Sequence, residues 1–251
     1  MKNASPAQMQ LLRATRWTWP EGLLWLIVFA LPWMLPGHAL IINEMAIAAL
    51  FAVSLDLVLG YAGIVTLGHA AFLGLGSYAA ALFAKHLHPD PLLGLMVGIC
   101  AGALLGALCS VTILRGSDLT RLMVTLGVTL LLYELANKLD GLTGGSDGLQ
   151  GVVMGPLLGR FDFDLYGQTA ASYSLTVLLL LFALARRWVH SPWGATLMAV
   201  RDNPLRASAI GISVPARLSM VYTLAAALAG AAGALLAQTT GFASLDEEIL
   251  P

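Results

Sequence analysis

The sequence predicts an all-α polytopic membrane protein, and three observations predict it. Hydrophobic residues make up 58% of the 251 and charged ones only 11%, less than half the roughly 25% of a soluble domain. Apolar stretches of membrane-crossing length recur, since about 20 residues at 1.5 Å rise span a hydrocarbon core of about 30 Å. The basic residues also segregate to one side once those stretches are threaded in order.

Apolar runs at 22–42, 45–59, 67–84, 92–114, 122–136, 173–185 and 218–237 predict about seven transmembrane helices, all within one domain covering 1–251. The first run follows Lys2, Arg13 and Arg16 and so imitates a signal peptide. No small-x-small cleavage site follows, and Pro32 and Pro36 interrupt the run, which makes it an uncleaved first span. The second, third, fifth and sixth runs are short or interrupted by glycine. Such runs suit helices buried among neighbours, or broken ones, rather than rods facing lipid.

The fourth run carries Gly94, Gly98, Gly102 and Gly106 on one helix face. A stripe of this kind lets a second backbone approach closely where hydrophobic drive between helices is missing, so it is assigned to packing and not to chemistry. Ala226, Gly230 and Ala234 form a similar stripe in the last run. Cys100 and Cys109 share the fourth run at neither disulfide nor metal-ligand spacing, and are taken as small packing residues.

With the N-terminus placed in the cytoplasm, ten of the 13 Lys and Arg fall on the cytoplasmic side, leaving Lys85, Lys138 and Arg160 outside. Most of the loop acids, from Asp90 through Glu248, fall on the outer side, and 245–251 is expected there too. Two connections are long enough to carry function. The outer one, 137–170, is rich in glycine and aspartate; the inner one, 186–217, holds its arginines around a helix-like segment. The net charge of −1 is uninformative as a total, and nucleic acid is not an expected partner.

Within 60–78 the glycines at 60, 63, 68, 74 and 76 free backbone groups from a helix ladder, which a membrane tolerates only against protein or a water-filled cavity. A discontinuous helix lining a pathway is expected there. His69 is the one histidine deep in the apolar part of the chain; an ionisable group in a membrane is a functional candidate, and a neutral ring bonded to a carbonyl is the structural alternative. Glu134 and Asn137 stand one turn apart near the outer end of their span, so a carboxylate and an amide face one side together. Capping or an ion pair explains Glu134 equally well, and Asp56 likewise.

Ser77 with His69 lacks a G-x-S-x-G elbow, so hydrolase chemistry is not favoured. His86-x-His88 has no third ligand at clear spacing, and no metal site is expected. No lysine follows a glycine-rich G-x-x-x-x-G, so the chain carries no phosphate-binding loop and no ATPase site of its own. The segment 191–212 reads as two short helices around a turn: Asp202 and Asn203 suit an N-cap, Pro204 a first helical position and Gly211 a C-terminal stop. Such a pair, apolar on one side and basic on the other, suits docking to a soluble protein, or lying flat on anionic lipid.

These segments resemble the permease subunits of branched-chain amino acid ABC importers of the LivM type. The resemblance rests on Gly60-Tyr61-Ala62-Gly63 with Leu67-Gly68-His69-Ala70-Ala71-Phe72, on Thr143-Gly144-Gly145 with Gly148-Leu149, and on Ser191-Pro192-x-Gly194 with Ala199-Val200-Arg201-Asp202-Asn203 and Ala207-x-Ala209-x-Gly211-Ile212. It implies the ABC importer permease fold in the bacterial inner membrane, with a homologous second permease, two ATPase subunits that bind the ATP, and a periplasmic substrate-binding protein. The chain itself would need no cofactor. The resemblance further implies a periplasmic loop at 137–170 and a cytoplasmic coupling segment at 186–217, with Arg201, Asp202, Asn203, Arg206, Ala207 and Gly211 in the part that the ATPase grips. Tyr61, Gly63, Gly68, His69 and Phe72, with Glu134 and Asn137, become the substrate pathway. The family usually has glutamine where Ile64 stands, and it continues past Pro251, so the chain is expected to lack the family's C-terminal helices. Branched-chain amino acids are the implied cargo, with urea, short amides or aromatic acids as alternatives. An ion-coupled secondary transporter is the rival reading, for which Asp56 is the one candidate coupling carboxylate.

Overall fold

The computed structural model describes residues 19–113, 116, 118–164 and 166–243. Lys2, Arg13, Arg16, Arg115 and the segment 245–251, all used above for orientation, lie outside the described residues. Those described form helices α1 Trp19–Met34, α2 Ala39–Asp56 continuing through a π turn Leu57–Tyr61, α3 Ala70–His86, α4 Pro91–Ile113, α5 Asp118–Lys138, α6 Gln168–Val189, α7 Pro192–Asp202, α8 Pro204–Ala209 and α9 Val214–Thr240. A one-turn helix, Asp140–Thr143, sits in the outer loop. Among the described residues there are two isolated β-bridges, Leu149 with Ala243 and Leu157 with Phe161, and no named strand.

Five of these helices are long and apolar enough to cross a membrane: Ala39–Tyr61, Pro91–Val111, Leu119–Lys138, Gln168–Val189 and Val214–Thr240. α1 is apolar but shorter, at 16 residues, and α3 has 17. The break between the first two runs falls at 35–38, not near 43, so 39–42 belong to α2. Hydropathy is continuous across that point. Pro36 and Gly37, in a single 3₁₀ turn, end the first helix there because proline cannot continue a ladder and glycine gains little from one.

α9 is the axis of the bundle. It packs chiefly on α4 and α3, and beyond them on α2. The two small-residue stripes face one another: a Cβ added at Gly102 would stand 2.4 Å from the Ala226 carbonyl oxygen and 3.1 Å from the Gly230 Cα, and one at Gly98 would stand 2.6 Å from the Ala234 Cβ. Backbones this close replace bulky side chains by dispersion contacts and Cα–H···O bonds along the crossing. α2 lies between α9 and α6, α1 leans on α6, and α5 stands at the rim against α3 and α4.

The amides inside the bundle find partners, as an apolar surrounding demands, whereas the Ser77 hydroxyl and His69 Nδ1 have none among the described residues. Ser174 on α6 donates to the Asn43 amide oxygen at 2.6 Å, and the Asn43 amide donates to Thr239 on α9 at 2.9 Å. Gln238 donates to the Pro91 carbonyl at 2.8 Å. Each amide stitches α9 to another helix.

The contacts at the helix termini sort into two ends. At one, Arg186 at the close of α6 grips Glu21 at the start of α1 with a 2.6 Å contact, and Arg201 on α7 reaches the Gly60 carbonyl at the close of α2. At the other, Gly155 donates to the Pro89 carbonyl at 2.7 Å, Leu149 and Ala243 exchange backbone bonds, and Gly167 packs on Leu40. α9 runs from one end, beside the α7–α8 pair, to the other, beside the outer loop.

Candidate functional site

The sequence elements that point to transport converge on the arginine-rich end, where α2 comes apart. Its last turn is a π turn, after which the Ala62 N–H reaches the Leu57 carbonyl at 3.3 Å and the Ile64 N–H reaches Val58 at 3.0 Å. The chain then runs without helix to 69 and resumes as α3. Gly63 makes the bend at φ +70°, a conformation that costs glycine little. Gly68 is needed for space, because a Cβ there would stand 2.6 Å from the Thr129 hydroxyl and closer still to the Thr125 carbonyl on α5. The Leu67 N–H donates to the Thr125 hydroxyl at 3.3 Å, giving one backbone group freed by the break a partner on the neighbouring helix.

His69 closes this segment and is buried, at 3% exposure. Its Nε2 lies 2.9 Å from the Ser54 hydroxyl on α2. Because that hydroxyl also lies 2.6 Å from the Phe51 carbonyl, one proton goes to each contact if Ser54 donates to the carbonyl and the ring donates from Nε2. The ring packs against Phe51 at 5.5 Å and edge-on against Phe72 at 5.4 Å, and Phe72 in turn meets Tyr222 on α9 edge-on at 5.6 Å. Edge-to-face rings at these distances reinforce their apolar burial. The result is a closed aromatic cluster locking the broken segment to α2 and α9.

The α7–α8 pair sits directly beside the break. Trp188 and Trp193 stack at 4.0 Å and Arg217 lies over the Trp193 ring at 4.9 Å, which fixes the pair between the ends of α6 and α9. Leu197, Val200 and Ala207 are its buried side. Asn203 caps α8, its Oδ1 accepting from the Arg206 N–H at 2.9 Å, with Pro204 at the first turn. At the far end the Gly211 N–H reaches the Ser208 carbonyl and the Ile212 N–H reaches Ala207, the paired bonds of a left-handed helix stop, with Gly211 at φ +87°. The tight cap and stop hold six residues in a helix too short to persist alone. Its outer face presents Leu205 and Ile210, 82% and 71% exposed, next to Arg206.

At the opposite end the loop turns at Gly144, Gly145 and Gly148, all with positive φ. The Thr143 hydroxyl lies 2.5 Å from the Ala136 carbonyl and 2.9 Å from that of Leu139, which ties the turn to the close of α5. Further along, the Asp164 carboxylate accepts from the Thr169 N–H at 2.9 Å and the Gln168 N–H at 3.3 Å, satisfying two of the free donors at the start of α6. Slight burial raises its pKa and those backbone bonds lower it further, so the carboxyl is held below its ordinary value.

Comparison with known proteins now has a geometry to meet. Residues 38–250 match the family model described as branched-chain amino acid transport system / permease component. The chain belongs to that family. It is similar to the high-affinity branched-chain amino acid transport system permease protein LivM of Salmonella typhimurium, 28% identical over 87% of this chain and 56% of that protein, and to that of Escherichia coli, 28% identical over 87% and 57%. The probable branched-chain amino acid transport permease protein LivH of Methanocaldococcus jannaschii is 30% identical over 64% of this chain and 53% of its own. The chain thus spans little more than half the length of these curated relatives. No solved structure matches it.

The part of this family member that matches contains the break, the outer loop and the α7–α8 pair, while α1 precedes it. Of the residues expected on a pathway, Gly68, His69 and Phe72 come together but in a closed core, and Tyr61 stands apart from them on the wall of a cavity of about 480 Å³ between α1, α2 and α6. Glu134 and Asn137 are not brought to His69: they follow Thr125 on α5 by nine residues or more, about 14 Å or more at 1.5 Å per residue. Glu134 is exposed and pairs with Lys138 at 3.6 Å. Ile64 is buried against the core. Ser54, Thr125 and Thr129, which hold the broken segment, had no motif to reveal them. Asn43 and Gln238 carried a weaker signal, as amides at the edges of apolar runs.

Proposed function

We propose that this chain is the membrane-crossing permease subunit of an ATP-driven ABC importer in the bacterial inner membrane, moving branched-chain or other hydrophobic amino acids inward. The observation that carries the proposal is the α7–α8 pair: a capped two-helix element with an exposed apolar and basic face, seated against the break that follows α2. Its N-terminus and this pair lie in the cytoplasm, and about seven helices cross, α1 and the 62–86 segment completing the five long ones.

In this mechanism two ATPase subunits bind and hydrolyse the ATP and grip Leu205, Arg206 and Ile210. A homologous second permease completes the path. A periplasmic binding protein delivers cargo to the turn at 143–149. Closure of the ATPases displaces the pair, and the bundle rocks so that the path opens to one side at a time. An apolar cleft of about 250 Å³ between α3 and α5, lined by Leu75, Tyr78, Leu82, Leu132 and Leu135, has the chemistry to pass an aliphatic side chain rather than a charged one. Sequence similarity to the two LivM proteins supports the cargo class.

The test is uptake of labelled leucine by cells carrying the intact importer, with ATPase co-purification measured in parallel. Arg206→Glu is expected to lower both. Leu205→Cys is expected to react with a membrane-impermeant maleimide only from the cytoplasmic side; labelling from outside refutes the topology. Uptake that persists without an ATPase and collapses with an uncoupler refutes the ATP-driven mechanism.

A further inference from the structure

The coupling pair has two arginines, and they face different things. The Arg206 side chain is exposed and makes no hydrogen bond or ion pair among the described residues, whereas the Arg201 guanidinium donates from Nη1 to the Gly60 carbonyl. We propose that Arg201 is a positioning residue that ties α7 to the break in α2 and passes the displacement of the pair to the segment in front of His69. The proposal rests on the coupling role given above to the α7–α8 pair.

Three features build the tie. The π turn shifts the backbone bonds, with Ala62 reaching back to Leu57 and Ile64 to Val58, and the carbonyl of Gly60 between them is met by Arg201. The arginine stem lies on Gly63, where a Cβ would stand 2.8 Å from the Arg201 Cγ and 3.5 Å from its Cδ. Head and stem therefore both press on the four-residue bend. Asp202 Oδ1 then holds the other edge of the guanidinium, 3.3 Å from Nη2 and 3.4 Å from Nε. A planar five-donor head serves a carbonyl on one edge and a carboxylate on the other in a fixed geometry, which a compact ammonium on a flexible stem does not impose.

The turn it grips borders open space. Asp56 and Tyr61, on either side of that carbonyl in sequence, line the cavity of about 480 Å³ together with Phe182 and Arg186, and Arg201 does not line it. Past the turn, the irregular residues 62–69 end on the aromatic cluster around His69 and on the close approach of Gly68 to α5. Movement of α7 thus has a direct route, through one charge-assisted hydrogen bond and one packed stem, to the segment that sits between three helices.

The experiment uses the complete importer in proteoliposomes, both permeases, ATPases and binding protein, with Arg201→Gln, Arg201→Lys and Arg206→Glu. Each is measured for ATPase co-purification, for ATP hydrolysis stimulated by the loaded binding protein, and for leucine uptake. Arg201→Gln is expected to lose less ATPase binding than Arg206→Glu and to lower the ratio of uptake to hydrolysis about tenfold, the scale of one charge-assisted hydrogen bond. Arg201→Lys, with the charge but a single donor point, is expected to fall between. Loss of ATPase binding in a folded Arg201→Gln complex to the extent seen in Arg206→Glu overturns the tie, and so does an unchanged ratio. If Arg201→Gln yields no folded complex, the ratio in Arg201→Lys decides: a native value overturns the tie and a lowered one supports it. Native ATPase binding by Arg206→Glu sinks the docking role instead, and the Arg201→Gln ratio still judges the tie.

Discussion

Replacing Gly102 by alanine tests the account of what holds the bundle together. The new Cβ would stand 2.4 Å from the Ala226 carbonyl oxygen and 3.1 Å from the Gly230 Cα, where ordinary contact begins at 3.4 Å. Both neighbours are backbone, so neither can rotate aside. α4 and α9 must separate by about 1 Å at the crossing, and a gap of that size forfeits a quarter to a half of the dispersion well for each atom pair along it. Overpacking of this kind costs about 1–3 kcal/mol. The control is Gly127→Ala on α5, where nothing lies within 4 Å; it is expected to be neutral or to stabilise by up to about 1 kcal/mol through helix propensity. Thermal unfolding of the detergent-solubilised protein reads both. A Gly102→Ala protein as stable as the native one, or a Gly127→Ala protein equally weakened, refutes the close-packed crossing.

Truncating His69 to alanine empties a site between Phe51 and Phe72 and removes the bond to Ser54, at a cost of about 2–4 kcal/mol in the same unfolding measurement. Asparagine 203 to alanine removes the cap of α8 at about 1 kcal/mol, and because six residues cannot hold a helix alone, ATPase co-purification is expected to fall while the melting temperature barely moves. Asp164→Ala should cost about 1 kcal/mol by freeing two N–H groups at the start of α6. The sign of its pH dependence follows from a folded-state pKa below the ordinary carboxylate value: the contribution is present above the unfolded-state pKa and is lost as the pH falls through the folded one. Unfolding of the native protein and of Asp164→Asn between neutral and acidic pH checks it, the difference between them shrinking with acidification.

The helical character and the position of the runs were legible because in a membrane hydropathy and helix are nearly the same statement. The α7–α8 pair was legible for a more local reason: Asn203-Pro204 and Gly211 each satisfy a helix end in their own way, so the chain announces both termini of α8. The first break was misplaced because hydropathy does not register a proline and a glycine set in an apolar run. The two small-residue stripes were visible one at a time, but that they face each other is a property of the pairing of α4 with α9. Side-chain partners across the bundle were the least legible. Ser54 meets His69 through a fold that brings residues 15 apart together around a break, and nothing in that spacing announces it. Arg201 reads in the sequence as one of the residues the ATPase grips, and nothing in its spacing announces that its Nη1 donates to the Gly60 carbonyl while the side chain stays 42% exposed. Glu134, read beside Asn137, prefers Lys138 one turn on, the ordinary i,i+4 neighbour.

The span of α9 has a mechanical consequence. At 27 residues it is about 40 Å long, starts five residues after α8 closes, and ends where Leu149 and Val152 of the outer loop are bonded to Ala243 and Gly241. No proline interrupts it beyond its first turn, and α2, α3 and α4 brace its sides. The 143–149 turn and the α7–α8 pair are therefore mounted near the two ends of a single stiff strut. A load applied at either is delivered to the other without a hinge in between to absorb it.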